Sequence, residues 1–315
     1  MHYAVYFPLV FGAALGLLGP AAATRLPPRP ATWLLTVGGL VAAGTTLLVL
    51  AILTATLIGG HSLLAGHLHW SPDVFDRSNP VPAVVGAAAA LLLAVLAVRT
   101  AWAAVRSVVE LRQAHRLART LAPGDGELVV VTEPGPVALA VPGRPGRVVV
   151  SAELLRTFDA AERAVVLGHE RSHLRHRHHL HHLAARVAAA AVPLLRGLPA
   201  ATSLATERWA DEDSTAQGPR PVVARALFEA AVRTRGAWPR RGACLSVAST
   251  DTDVRIRMML AGPPRRRPLL LLTTVALLTL PVLAGGEALR DAHGLFREAA
   301  LDAPMHSTPH PTSQR

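Results

Sequence analysis

The chain has 315 residues, 51% of them apolar, a formal net charge of +11 and a mean hydropathy of +0.34. The positive charge is all arginine, since no lysine is present, and the single cysteine, Cys244, excludes an intramolecular disulfide and is too isolated to suggest a thiolate metal site. A nucleic-acid binder would suit such a charge, but no recognition motif accompanies it and no direct nucleic-acid binding is expected.

The apolar residues come in blocks. Residues 3–23, 33–60, 81–98 and 268–286 carry no charged side chain. At ~1.5 Å per residue, runs of this length reach across a hydrocarbon layer of ~30 Å. They predict about four transmembrane helices: 3–23, 33–60 and 81–104 within an N-terminal membrane region (1–105), and a fourth over 267–289. The first run is expected to be retained, because only His2 precedes it where a cleaved signal would carry positive charge.

Arginine placement predicts the orientation. Arg25 and Arg29 follow the first run, and Arg99, Arg106, Arg112, Arg116 and Arg119 follow the third. Arg265, Arg266 and Arg267 precede the fourth, whereas the loop between the second and third carries Asp73 and Asp76 against one Arg77. The N-terminus and a short tail (290–315) are therefore expected outside, with residues 106–266 in the cytoplasm.

After the third run the chain is expected to continue as a basic amphipathic helix on the inner membrane face, ending near "APGDG". Three strands are predicted within 127–133, 135–143 and 146–151, bounded by Gly and Pro. Asp159 with Glu162 three residues on forms a capping-box pattern that starts a long helix. Residues 184–205 read either as a buried helical hairpin or as a segment lying on the membrane.

The long helix enters "HERSHLRHRHHLHH", which holds seven of the chain's fifteen histidines. Its first five residues match HExxH. Residues four apart share a helix face, so His169 and His173 can present imidazole nitrogens to one metal ion. Glu170, rotated by about 100°, is placed to take a proton from an attacking water. A catalytic zinc needs three protein ligands and an open fourth position.

His179 stands at the spacing of a third histidine ligand, but that pattern needs glycine where His176 stands; with the helix expected to continue, His179 points elsewhere. Glu207, in "TERWADED" 34 residues after His173, is the better third ligand, with Asp211 one turn on to hydrogen-bond a ligand histidine or to fix the carboxylate. The alternative is that Glu207, Asp211, Glu212 and Asp213 form an exposed acidic face. His176, His178, His179, His181 and His182, with Arg175 and Arg177 among them, are expected to form a solvated basic face.

These membrane helices, "GRVVVSAELLRTFDAAERAVVLGHERSHLRHRHH", "ERWAD" and "DVRIRMML" together resemble the BlaR/MecR-type membrane metallopeptidases, gluzincins related to the HtpX/Ste24-type proteases. The resemblance implies a mainly α membrane protein with a cytoplasmic α+β zincin-type domain carrying a small β-sheet. It implies one zinc ion held by His169, His173 and Glu207, with Glu170 as general base and Asp211 behind the ligands. It also implies that "GPVALAV" serves as an edge strand for an extended protein substrate, in the BlaR/MecR case a transcriptional repressor. The chain departs from that group in having about 26 residues after the fourth run, where the group carries a sensor domain. Within the same chemistry the alternative is an HtpX-like quality-control protease. From another class, the rival is a non-catalytic, histidine-rich membrane metal sensor, which needs no base at Glu170.

Overall fold

The computed structural model describes residues 7–59, 81–121, 126–132, 137–233, 245–246, 251–263 and 268–301. The acidic loop with Asp73, Asp76 and Arg77, the Arg265–Arg267 cluster and Cys244 lie outside the described residues.

The described chain is mostly helical, with one small sheet. Helix α1 spans Phe7–Arg25, α2 Pro28–Gly59 and α3 Ala83–Leu121. Two helices, Pro28–Gly59 and Ala83–Thr120, are long and apolar enough to cross a membrane; the apolar stretch Val10–Arg25 is shorter. After the third apolar run the helix continues through the basic amphipathic stretch, as expected, in one rod of 39 residues. Its end does not simply lie on a membrane face: Ala114 and Ala118 pack against Val129, Val141 and Val149 of the sheet.

Strands β1 (Leu128–Val131), β2 (Ala138–Val141) and β3 (Arg147–Ser151) fall within the predicted segments. The sheet order is β1-β3-β2-β4, with β4 a two-residue strand, Leu245–Ser246, that the sequence did not announce. β3 runs parallel to β1 and antiparallel to β2. Because successive side chains alternate between faces, Val149 meets α3 while Val148 and Val150 join the opposite core. Ala140 of β2 pairs with Leu245, and Leu139 with Ser246. β2 is thus an inner strand at these positions, which corrects the expectation that it presents a free edge to substrate.

Ser151 caps the short helix α4 (Ala152–Thr157), its hydroxyl accepting from the Leu154 N–H. Helix α5 (Ala160–Arg175) opens on the predicted capping box: the Asp159 side chain accepts from the Glu162 N–H at 2.8 Å, and the Glu162 side chain from the Asp159 N–H at 3.0 Å. Such a cap contributes about 1 kcal/mol. It also sets the helix phase, turning Val165 and Val166 into the core shared with α8 (Arg220–Arg233) and α9 (Thr252–Leu260).

The stretch left open at 184–205 is a helical hairpin. Helix α6 (His178–Ala191), a 3-10 turn (Pro193–Leu195) and α7 (Leu198–Ser214) fold back on one another. Their alanines and leucines bury against Leu15, Ala23, Leu35 and Ala42 of α1 and α2. Small residues permit the close approach. A Cβ on Gly16 would collide with the Leu194 carbonyl oxygen, and one on Gly39 with the Leu198 side chain. Arg208 of α7 donates to the carbonyls of Ala23 and Leu26, capping the end of α1. Opposite, Arg186 of α6 pairs with Glu110 of α3 at 2.8 Å.

The last helix, α10, spans Pro268–Leu301. It passes 289 without a break, so the segment expected to be a tail begins as helix; the end of that tail, from 302, lies outside the described residues. Ala288 and Ala292 pack on Ile52 of α2.

Candidate metal centre

His169 and His173 stand one turn apart on α5, and their Nε2 atoms lie 3.1 Å from each other. Glu207, brought in by α7, completes the convergence. Its Oε2 is 3.4 Å from His169 Nε2 and its Oε1 is 3.6 Å from His173 Nε2. One donor atom from each of the three lies within 4.8 Å of the others, and all three residues are buried. Two imidazole nitrogens and a carboxylate oxygen around one buried point form a donor set that fits a divalent cation such as zinc. The alternative reading of Glu207 and Asp211 as an exposed acidic face is closed, as they are 3% and 2% exposed.

Glu170, next to the first histidine, is fully buried. Among the described residues no side chain pairs with its carboxylate, and the backbone of Ala140 on β2 faces it. Burial pushes its carboxyl up, to about 7, with the charge of Glu207 adding to the shift and those of His169 and Arg255 opposing it. An unpaired buried carboxylate is costly to keep. Such a group, with a proton affinity near neutrality, suits proton transfer.

Asp211 stands behind the candidate donors, its Oδ1 3.0 Å from His169 Nδ1. Burial pulls the His169 pKa down, but Asp211 and Glu207 outweigh it and hold the imidazole at about 9. At His173 burial and the neighbouring His169 act together, and its pKa lies well below the ordinary value. Burial raises Glu207 and Asp211, but Arg255 and His169 together outweigh it and both fall below the usual carboxylate value.

Arg255 is the residue that sequence reasoning did not assign. From α9 its fully buried guanidinium places Nη1 2.9 Å from Glu207 Oε2, while Nε and Nη2 reach the two Asp211 oxygens at 2.8 and 2.6 Å. One arginine thus fixes the third donor and the residue orienting the first. The signal in the sequence was "DVRIRMML", which contributed to the family resemblance but has no spacing rule joining it to Glu207.

The remaining histidines overturn the expected solvated face. The helix stops at Arg175, two residues past His173, instead of continuing as expected: His176 caps α5, and Arg177, at φ 51°, turns the chain before His178 starts α6. A left-handed non-glycine residue costs about 1–2 kcal/mol, so surrounding contacts must hold the turn. They do: Asp213 Oδ2 accepts from the Ser172 hydroxyl at 2.7 Å and lies 2.8 Å from His176 Nε2, while the His176 ring stacks on Trp209.

His178 and His181 are buried. His178 Nδ1 lies 2.8 Å from His173 Nδ1, and His181 Nδ1 lies 2.9 Å from the Thr36 hydroxyl of α2. His182 contacts the Thr206 hydroxyl at 2.9 Å, and His179 is half-buried. Burial lowers the pKa of His178, His179, His181 and His182, His179 and His182 to about 4. Burial holds these rings neutral, and the exposed charge of this stretch lies on Arg175 and Arg177.

Residues 104–236 match the family model described as Peptidase family M48. The match includes His169, Glu170, His173, Glu207 and Asp211 and stops before Arg255. Over that segment, less than half of its length, the chain is similar to the M48 metallopeptidases. No curated protein and no solved structure matches the chain.

Proposed function

We propose that the chain is an integral membrane zinc endopeptidase that cleaves a cytoplasmic or membrane-proximal protein. The observation that carries this reading is Glu170: a buried carboxylate with no side-chain partner, one residue from a converged His-His-Glu set. A metal sensor needs the three donors but not the costly fourth group. The M48 match over the segment holding these residues supports the same chemistry.

In this reading His169, His173 and Glu207 hold the zinc ion, with Asp211 and Arg255 fixing two of the three. Zinc, when bound, supplies a Lewis acid for the scissile carbonyl and for water. Glu170 accepts a proton from the attacking water and delivers it to the departing amine nitrogen, so the peptide bond breaks to a carboxylate and an amine. Its raised pKa lets it perform both transfers near neutral pH.

The two long apolar helices support membrane residence. α1 and α10 complete a four-crossing topology in this proposal, and the arginine distribution places residues 106–266 in the cytoplasm. A repressor as substrate would follow the BlaR/MecR-type resemblance, and damaged membrane proteins the HtpX-type one.

The test is to purify the full chain in detergent and measure bound zinc and proteolysis of a cytoplasmic protein pool for wild type, Glu170→Ala and Glu207→Ala. Glu170→Ala should keep stoichiometric zinc and lose cleavage, whereas Glu207→Ala should lose zinc. A zinc-loaded wild type that cleaves nothing would return the sensor class, unchanged cleavage by Glu170→Ala would remove Glu170 as the base, and full zinc affinity in Glu207→Ala would remove Glu207 as a ligand.

A further inference from the structure

We infer that His178 is a positioning residue for the ligand His173, accepting the hydrogen bond that holds the His173 ring with Nε2 turned to the metal position. The inference rests on the metal-site reading above.

The contact is between the two Nδ1 atoms, at 2.8 Å, with the rings edge-to-face at 85° and their centroids 4.8 Å apart. At that separation one nitrogen carries the proton and the other accepts it. An imidazole that gives its Nε2 lone pair to a metal carries its proton on Nδ1. His173 is therefore the donor and His178 Nδ1 the acceptor, leaving the His178 proton on Nε2.

The fold creates this pair. On an unbroken helix, residues five apart are separated by about 140° around the axis and cannot face each other. The left-handed turn at Arg177 breaks the helix between them and returns His178 against His173. Trp209 holds the ring in place, with centroids 5.0 Å apart, and His176 stacks on its other neighbour position at 5.8 Å. His178 Nε2 is buried without a hydrogen-bond partner among the described residues. Leaving such a donor unpaired is unfavourable, a cost that a ring present only for packing would not need to carry.

The choice of a neutral acceptor follows from charge. His169 is already backed by the Asp211 carboxylate. Glu170, Glu207 and Asp211 face Arg255, and a divalent ion brings this buried set to neutrality when all three carboxylates are ionised. A second carboxylate, at position 178, would leave excess negative charge in a region of low dielectric. A histidine supplies the acceptor without the charge.

The test compares His178→Asn with His178→Gln in the full-length protein. The Asn side-chain oxygen can occupy the place of Nδ1, and the longer Gln side chain carries its oxygen towards that of Nε2. Zinc affinity is measured by competition with a chelating dye, and the visible absorption of the cobalt-substituted protein reports ligand geometry. Thermal unfolding of the zinc-stripped proteins checks the fold. Asn should bind zinc within about threefold of wild type with an unaltered cobalt spectrum, and Gln should bind about 10–100-fold more weakly with a shifted one. Equal affinities in the two variants, whether both unchanged or both reduced, would overturn the inference and leave His178 a packing residue. If one variant fails to fold, His178→Phe, which keeps a ring but no acceptor, takes its place as the weak binder, and wild-type affinity in Phe would be decisive against the role. Absence of zinc from the wild type would instead remove the metal-site reading itself, a result distinct from either comparison.

Discussion

The Arg255 guanidinium meets the Asp211 carboxylate at two points, Nε to Oδ2 at 2.8 Å and Nη2 to Oδ1 at 2.6 Å, across 44 residues of chain. Both groups are buried. Breaking such a pair from one side leaves an uncompensated buried charge and costs about 3–5 kcal/mol. Arg255→Met should therefore lower thermal stability and weaken zinc binding together, since Glu207 loses its partner as well. Arg255→Lys keeps the charge but cannot make the fork, and should fall between. A Met variant with wild-type melting temperature and zinc affinity would show that the guanidinium holds nothing in place.

Zinc affinity should depend on pH over an unusual range. The His169 pKa is held at about 9, chiefly by Asp211 and Glu207 against the opposing effect of burial. Below that value a metal must displace a proton from the ring, so affinity falls as pH falls; above it the dependence disappears. From about pH 7.5 to about 8.5 the apparent affinity should rise nearly tenfold. An ordinary histidine, with pKa ~6.5, would give a nearly flat line there. Dye competition at several pH values distinguishes the two.

Gly16 is required by the hairpin. A Cβ there would enter the Leu194 carbonyl, whereas one at Gly44 of α2 meets nothing within 4 Å. Gly16→Val should destabilise the protein by about 1–3 kcal/mol, and Gly44→Val should have a much smaller effect. Similar unfolding temperatures for the two variants would contradict the packing of the hairpin that carries Glu207 on α1.

The proposed orientation can be tested at Arg112, which is exposed on α3. In a Cys244→Ser background, Arg112→Cys should react with a membrane-impermeant maleimide only after the cells are permeabilised. Labelling of intact cells would place the segment outside and reverse the topology.

The capping box, the pairing of His169 and His173 on one helix face beside Glu170, and the three strand segments were all legible in the sequence. Each depends on positions a few residues apart, where helical or strand periodicity fixes which side chains share a face. Glu207 and Asp211 were legible as a pair one turn apart, and α7 turns both towards α5. The separation of the later histidines was not legible. No proline or glycine marks the turn at Arg177, which is held by contacts among Ser172, His176, Asp213 and Trp209.

By itself, then, the sequence determined that long apolar helices flank a segment with metal-binding spacing, because hydropathy and period are properties of neighbouring residues. Tertiary structure decided what surrounds the donors. Arg255 reaches Glu207 and Asp211, His178 returns to His173, and the hairpin carrying Glu207 packs on α1 and α2. These relationships join residues far apart in the chain or across a break in helical phase, and only packing of the apolar faces brings them together.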